Sequence, residues 1–423
     1  MAVAARRIGR HVVAASWIAT SLVAAMACTP QDPPTVPEPT TDLLAGDAAL
    51  VNPAISADGA WVAFASKATD LGPAGGSLGH TDVFVLHRPT GQITRVTAGN
   101  ESSGIDVTDA GTPPSDPPQA HEARPITISA DGRYVAFESF AGNLTADPDP
   151  AVTRDVFRWD RSTGLTERVS HATASSPCLG AGGAFAQGFF DGQISMSRDG
   201  GTIAWWEYCS GDRAGGTSIW RAATGTTATY LLGATGTMRP KVSGDGSVVV
   251  AAQFNGFDRD FGTSVVRVDA ATGTVLSEVP TPLGTQVAAV DANGSAAVVS
   301  TGYGPISRLD LTTGALVAIT GSGSSAAGLR LSATAVGPDL ASLIVLATQM
   351  TGSTRTVWVD RIRLAAPTPA RLQGGVLTMP VPSPTEQWTS GTPFDPPNSM
   401  TDDGETVVRV QPVASQPSRL VVQ

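Results

Sequence analysis

One short pattern recurs at seven places along this chain and limits the folds that it can adopt. An apolar residue, usually followed by a serine, precedes a tight Asp-Gly turn, and a run of small and branched apolar residues comes next; residues 55–64 read ISADGAWVAF and residues 128–137 read ISADGRYVAF. The turns lie at Asp58, Asp131, Asp199, Asp245, Asn293, Asp339 and Asp403, and the copy at Asp339 lacks the glycine. Self-similarity at this spacing predicts a repeat architecture.

A second marker divides most of the units into two hairpins. Thr-Gly pairs follow short alternating runs at residues 90–91, 163–164, 224–225, 272–273 and 313–314. Glycine and asparagine tolerate the positive φ of a tight turn, so both markers are hairpin signals. Four short strands per unit, with no helical periodicity, describe one blade of a β-propeller. We therefore predict an all-β chain with a single propeller of seven blades. Six is the alternative, if the degenerate unit at Asp339 forms no blade of its own.

The two ends of the repeat region predict how the ring closes. The last unit has apolar runs at residues 407–410 and 419–422 and then stops, without a Thr-Gly turn or an outer strand. A spare run, Asp-Leu-Leu-Ala at 42–45, precedes the first unit. We expect this N-terminal strand to complete the last blade, which removes two open sheet edges. The alternative is a short apolar stretch that only packs on the ring.

An export signal precedes the repeats. Three arginines (Arg6, Arg7 and Arg10) come before an uncharged apolar stretch at residues 12–27. Residues 25–28 (Ala-Met-Ala-Cys) resemble a bacterial lipobox, which implies a lipid on Cys28, and a proline-rich run suited to a tether follows. Ordinary cleavage at Ala-x-Ala is the alternative, and would leave a secreted or periplasmic protein. The predicted division is a signal peptide at 1–27, a lipidated cysteine with its tether at 28–40, and the propeller at 41–423.

The cysteines and the net charge of the chain restrict its compartment and the classes of partner that it can bind. Cys178 and Cys209 both lie in the third unit, and in an oxidising compartment we expect them to form a disulfide; two unpaired thiols are the alternative. The net charge is −10 and no basic cluster is present, so the chain repels phosphate backbones and nucleic acid is not an expected partner. We expect a monomer that touches the membrane only through its lipid anchor.

The longer connections are predicted to lie on one face of the ring, opposite the tight turns, and variable loops on a rigid scaffold are where binding residues concentrate. We expect a ligand-binding face there for protein or carbohydrate. Its candidate residues are Phe189, Phe190, Asp191, Phe254, Phe257, Asp258, Arg259, Asp260, Trp388 and Phe394. The alternative is that these rings fill small cores within their own loops.

Catalytic and metal-binding signals are weak. The string Gly-Gly-Ser-Leu-Gly at 75–79 falls in a loop, whereas a nucleophile elbow needs a strand, a turn and a helix. The histidines of the mature chain have no metal-ligand spacing. The aspartates at 106, 109, 116, 147 and 149 match no calcium-loop series, so solvated loop acids are expected. We predict no metal, no cofactor and no catalytic residue.

A family resemblance agrees with this interpretation. Pro125 to Phe137 and Asp155 to Ser170, with Asp-Val-Phe and an Arg-Ser-Thr-Gly turn, form the clearest copy of the repeat. They resemble the TolB-like, WD-repeat-like propellers of the bacterial cell envelope, and the resemblance covers residues 52–423. It implies a non-catalytic binding scaffold at the envelope. A propeller enzyme, such as a glycan lyase or hydrolase that uses loop carboxylates, is the alternative function.

Overall fold

A computed structural model of the chain shows its fold. It describes residues 41–44, 50–71, 82–97, 126–139, 144–145, 155–170, 188–189, 194–209, 215–230, 237–254, 262–301, 303–323, 329–351, 354–364, 366–378, 398–401, 405–413 and 416–422. These residues form strands and turns, and they include no helix with the length and hydropathy of a membrane span.

The described strands fall into seven antiparallel sheets. β1 (Thr41–Leu44) precedes sheet 1, which has β2 (Leu50–Ile55), β3 (Trp61–Ser66), β4 (Asp82–His87) and β5 (Gln92–Arg95). Sheet 2 has β6 (Thr127–Ile128), β7 (Tyr134–Ser139), β8 (Asp155–Asp160) and β9 (Leu165–Arg168). Sheet 3 has β10 (Gly188–Phe189), β11 (Ser195–Met196), β12 (Thr202–Cys209), β13 (Gly215–Arg221) and β14 (Thr226–Tyr230).

The second half of the chain repeats this arrangement. Sheet 4 has β15 (Thr237–Val242), β16 (Val248–Phe254), β17 (Gly262–Asp269) and β18 (Val275–Pro280). Sheet 5 has β19 (Gln286–Val290), β20 (Ala296–Ser300), β21 (Ser307–Asp310) and β22 (Leu316–Ala318). Sheet 6 has β23 (Leu329–Val336), β24 (Ser342–Thr351), β25 (Thr354–Arg363) and β26 (Ala366–Thr378). Sheet 7 has β27 (Asn398–Met400), β28 (Val407–Val413) and β29 (Gln416–Val422), with β1 at its outer edge.

The sheets follow one another around a ring. A strand on the inner side of each sheet contacts the next sheet: β2 contacts β6, β6 contacts β11, β11 contacts β15, β15 contacts β19, β19 contacts β23, β23 contacts β27, and β27 returns to β2. The prediction of a single all-β propeller is therefore confirmed. Six of the sheets are blades that one continuous stretch of chain builds, and the predicted count of seven blades is not confirmed. The seventh sheet is composite, since it joins both ends of the described chain.

The composite sheet contains the predicted closing strand. β1 pairs antiparallel with β29, with Thr41 opposite Val422 and Leu44 opposite Leu420. The strand, Thr41–Leu44, thus lies one residue earlier in the chain than the predicted segment at 42–45. Because β28 and β2 also contact each other, the pairing joins the last sheet to the first.

The Asp-Gly turns are built from local hydrogen bonds. In the second unit, the Ser129 hydroxyl donates to Asp131 Oδ1 (2.7 Å), which also accepts the Arg133 N–H (3.0 Å), while Ser129 Oγ accepts the Tyr134 N–H (2.8 Å). Gly132 has a φ of 68°, a value that glycine adopts readily. The same bonds recur at the turns of Asp58, Asp199 and Asp245. This network explains why the Ser-x-Asp-Gly pattern repeats.

The Asp-Gly turns also bond to one another. The Ala57 N–H donates to the Ala130 carbonyl (2.9 Å), the Ala130 N–H to the Arg198 carbonyl (2.7 Å), and the Arg198 N–H to the Gly244 carbonyl (3.0 Å). The Asp245 N–H continues the series to the Ala292 carbonyl (2.8 Å). These bonds link sheets 1 to 5 on this side of the ring, which we call the turn face. The opposite side is the loop face.

Candidate functional site

Most of the predicted binding residues lie outside the described residues. Phe189 ends β10, opposite Tyr208, and Phe254 ends β16, opposite Gly262. Both strand ends lie on the loop face, in neighbouring sheets. Phe190, Asp191, Phe257, Asp258, Arg259, Asp260, Trp388 and Phe394 fall outside the described ranges. The binding face they define stays a prediction.

The cysteine predictions also fall largely outside the described residues. Cys209 is the last residue of β12, opposite Gly188. Cys178 and Cys28 are not among the described residues. The disulfide and the lipidation therefore stay predictions.

Two repeated aspartates hold the outer half of their blades together. Asp82 begins β4 and accepts the Thr97 hydroxyl (2.6 Å), and its second oxygen lies 3.1 Å from the Arg95 guanidinium. The same threonine oxygen accepts the Val83 N–H (3.2 Å). Asp155 and Ser170 form the equivalent pair in sheet 2. Because these carboxylates are buried and bonded within the blade, they are structural groups and not candidates for acid or base catalysis.

The ionisable groups of the turn face are also structural. The pKa of Asp58 lies below its ordinary value, chiefly because its carboxylate accepts a hydrogen bond from the Ser56 hydroxyl and secondly because it accepts one from the Ala60 N–H. Within the part of the chain that the structure describes, no three His, Cys, Asp or Glu side chains come together as metal ligands. His87 stacks on Trp61 with ring centroids 4.1 Å apart and lies 2.8 Å from the Thr90 hydroxyl.

The inner strands carry an unexpected charge pattern. The first strands of the blades surround the axis of a propeller. In the described parts of these strands, the charged residues are three cations: Arg239 and Lys241 in β15, and Arg330 in β23. The other inner strands read as apolar, small or neutral polar residues. A chain of net charge −10 thus places positive charge on its inner wall.

Arg239 is held across a blade boundary. It precedes Pro240 at a bulge in β15 and has a φ of 53°. Asn52, before Pro53, occupies the same repeat position in β2 with the same φ. Asparagine tolerates this left-handed conformation better than arginine, so the backbone at Arg239 is strained. Its guanidinium donates to Gln286 Oε1 of β19 (2.7 Å), which fixes the charge between sheets 4 and 5.

Lys241 lies two residues further along β15. Burial, and next the positive charge of Arg239, lower the pKa of Lys241 from 10.5 to about 8. The side chain remains partly accessible. Two like charges are therefore close together in β15, and the charge of Arg239 disfavours the protonated form of Lys241.

Arg330 stands nearer the loop face, beside an exposed aromatic ring. Its Nε donates to the Tyr303 hydroxyl (3.0 Å), and its guanidinium lies 4.9 Å from the centre of that ring. Tyr303 belongs to the connection between β20 and β21 and is 37% exposed. The backbone of Gly323 packs against Tyr303, where an added Cβ would lie 3.2 Å from the Tyr303 carbonyl. Tyr303 and Arg330 thus form a supported polar and aromatic pair.

Sequence reasoning missed these residues. It sought the site in the longest loops, whereas Tyr303, Arg239, Lys241 and Arg330 lie in short loops or inner strands. A signal was present, since the described first strands that precede the turns otherwise contain no charged residue. Aligning those strands by their turns would have shown the cations.

Comparisons with known proteins support the fold. No protein-family model matches the chain, and no curated protein matches it in sequence. An oligogalacturonate lyase in complex with manganese is similar in structure, with a TM-score of 0.54, 12% identity, and coverage of 90% of this chain and 92% of that chain. A prolyl endopeptidase gives a TM-score of 0.51 and 12% identity over 89% of this chain and 48% of the other.

TolB from Acinetobacter baumannii is also matched, with a TM-score of 0.39 and 14% identity, over 70% of this chain. The matched region spans 61% of the TolB chain and about half of the endopeptidase chain. At these identities the likeness shows the β-propeller fold alone. Chemistry has to be argued from the residues of this chain.

Proposed function

We propose that this chain is an exported, non-catalytic propeller that binds a protein or glycan at the cell envelope through its loop face. One observation carries the proposal: the two faces of the ring are built differently. On the turn face, backbone bonds link successive Asp-Gly turns and leave little free to bind a ligand. On the loop face, Tyr303 is exposed and Arg330 lies against it.

The proposal includes the arrangement of the whole chain. We take sheet 7 as the seventh blade of the ring, which β1 completes; its contacts with sheets 1 and 6 support this count. Residues 1–27 are then a signal peptide, and Cys28 carries a lipid that anchors the propeller through its proline-rich tether. Secretion without a lipid is the alternative.

A propeller enzyme is the second candidate. The observation that favours it is the likeness to the oligogalacturonate lyase, which extends over nine-tenths of both chains. The described buried aspartates do not support it, because Asp82 and Asp155 serve inside their blades. An assay for bond cleavage, run on every ligand that binds, separates the two candidates.

The test is a glycan-array and pull-down screen with the mature, folded chain, repeated with two single variants. Tyr303→Ala removes the exposed ring of the loop face, and Thr163→Ala alters an exposed Thr-Gly turn on the opposite side. We expect the first variant to lose at least one ligand that the second retains. Equal retention by both variants, or loss in Thr163→Ala alone, would place binding elsewhere and contradict the proposal.

A further inference from the structure

One arginine of the loop face differs from the other arginines that lie over aromatic rings. Four described arginines have such a ring contact: Arg133, Arg158, Arg161 and Arg330. The first three also donate to a carboxylate or to a backbone carbonyl. Arg330 donates its Nε to the Tyr303 hydroxyl, and within the described structure its two Nη groups have no acceptor. Because a guanidinium bonds most strongly to carboxylates, these Nη groups are suited to a carboxylate that a ligand supplies.

The exposed Arg330 guanidinium is held in one orientation. Its bond to the Tyr303 hydroxyl is 3.0 Å long, and it lies 4.9 Å from the centre of the Tyr303 ring. The turn of Tyr303 has bonds of its own, since the Tyr303 N–H donates to the Thr301 carbonyl (3.0 Å) and the Gly304 N–H to Thr301 Oγ1 (3.0 Å). A charged group that is oriented before binding loses less conformational entropy when it pairs, which favours a binding role.

An exposed leucine lies at the same end of sheet 5. The first residue of β19 pairs with the last residue of β20, so Leu283 and Tyr303 each lie three residues beyond this end of the sheet. Leu283 is 65% exposed in a tight turn, in which the N–H and the hydroxyl of Thr285 both donate to the Pro282 carbonyl. β23, which contains Arg330, contacts both β19 and β20. We call Leu283, Tyr303 and Arg330 the Tyr303 patch.

The composition of the Tyr303 patch favours a polypeptide over a glycan. Tyrosine and arginine are enriched where proteins bind other proteins. Leu283 adds an aliphatic side chain, which gains free energy when another apolar side chain covers it but offers no hydrogen bond to a sugar hydroxyl. A positive charge on a chain of net charge −10 also selects a negative group on the partner. A carboxylate a few residues from an apolar side chain is a combination that polypeptides provide.

We propose that the Tyr303 patch binds a segment of a partner protein, in which a carboxylate pairs with Arg330 and a neighbouring apolar side chain packs on Leu283 and Tyr303. The carboxylate belongs to an acidic side chain or to the C-terminus of the partner. The inference rests on the proposed function, because it names the partner class of the loop face, and it selects a protein where the proposed function allows a protein or a glycan.

The test uses an array of synthetic nine-residue peptides, probed with the fluorescently labelled mature chain. One set has a leucine and a glutamate at every spacing among neutral residues, and each peptide is matched by one with glutamine in place of the glutamate. A second set is neutral, ends in leucine, and has either a free or an amidated C-terminus. We expect a peptide of at least one set to bind, and its matched neutral peptide to bind about tenfold more weakly or worse, as for loss of one charge-assisted bond.

Matched variants test whether the Tyr303 patch makes these contacts. Arg330→Gln should abolish the preference for the carboxylate, and Leu283→Ser should weaken the binding of every peptide. One control is Arg308→Gln, at an exposed arginine of β21 that has no aromatic contact in the described structure. The other is Leu165→Ser, at a leucine of β9 that is 70% exposed beside a Thr-Gly turn. Both controls should bind as the wild type does, and thermal melts should be unchanged because all four side chains are exposed.

Each other outcome overturns a defined statement. Equal loss of the preference in Arg308→Gln would show attraction to charge in general, and a preference that survives in Arg330→Gln would place the carboxylate elsewhere; either result rejects the site. Equal weakening by Leu165→Ser would remove Leu283 from it. If no peptide binds in a way that depends on its carboxylate, the inference is wrong. A glycan that the screen finds and Tyr303→Ala loses would then leave the proposed function standing with a glycan as its ligand.

Discussion

Replacing Gly132 by alanine tests whether the glycine of the Asp-Gly turn serves the contact between blades as well as the turn itself. Gly132 has a φ of 68°, and a Cβ added there would lie 2.4 Å from Trp61 Cδ1 in the preceding sheet. The Trp61 ring cannot move away easily, because His87 stacks on it at 4.1 Å and the Arg161 guanidinium lies 3.9 Å from its centre. The substitution therefore forces the two sheets apart or distorts the turn.

Gly164 supplies the matched control. It has a φ of 71°, but an added Cβ there has no described neighbour within 4 Å. An alanine in the left-handed conformation costs about 1–2 kcal/mol at either position. Crowding of a well-packed contact adds about 1–3 kcal/mol. We therefore expect Gly132→Ala to lower the free energy of unfolding by about 2–5 kcal/mol and Gly164→Ala by about 1–2 kcal/mol.

The measurement is denaturant unfolding of the mature chain and both variants under the same conditions, with the midpoint and slope compared. Tryptophan fluorescence reports on Trp61 together with the other tryptophans, and circular dichroism reports on the β-sheet content. If both variants lose the same stability, then contact with Trp61 does not constrain Gly132, and close packing of sheets 1 and 2 is not the reason for the glycine.

Three further predictions concern charge, closure and anchoring. Lys241→Met should stabilise the chain at pH 7 by about 1 kcal/mol; the full pKa difference from 10.5 to about 8 corresponds to roughly 3 kcal/mol, but a partly exposed charge is screened. The unfolded lysine holds its proton up to about pH 10.5, so wild-type stability should rise relative to the variant between pH 8 and 10.5, which unfolding at several pH values checks. Deleting residues 41–46 should lower the melting temperature or cause aggregation because it exposes the edge of β29, whereas deleting 29–37 should change neither; equal melting would refute closure by β1. Cys28→Ala should remove the protein from the membrane fraction and leave its melting temperature unchanged. If the wild-type protein takes up no acyl label, Cys28 carries no lipid anchor.

The repeat could be predicted from sequence because its hydrogen bonds are local. The bonds among Ser129, Asp131 and Tyr134 lie within six residues, so their residue types recur together in the sequence. Closure was also predictable, because a missing outer strand at one end of the repeat matched a spare strand at the other. The first inference needs only the spacing of residues within one turn, and the second needs only the number of strands in each unit. Both can be read from a single sequence.

The turn at Asp339 forms without the residue types of the repeat. Leu340 takes the place of the glycine with a φ of 60°, and Gly337 takes the place of the serine. The turn still forms, since Asp339 Oδ1 accepts the Ala341 N–H (2.9 Å) and the Leu340 N–H donates to the Gly337 carbonyl. Leu340 is fully buried, so its packing offsets the backbone strain. A tertiary contact of this kind cannot be read from local sequence.

Some arginine contacts recur at several turns of the ring, and others occur once; the contacts that occur once are the candidates for a functional role. Four arginines donate to the carbonyls of glycines in the Asp-Gly and Asn-Gly turns: Arg88 to Gly59, Arg158 to Gly200, Arg161 to Gly132 and Arg267 to Gly294. A contact made at several turns is explained by the ring that those turns build. The bonds of Arg239 to Gln286 and of Arg330 to Tyr303 instead start from cations that the other described inner strands do not carry. Since the repeat does not require these cations, unfolding and ligand binding measured on their variants distinguish a role in the fold from a role in binding.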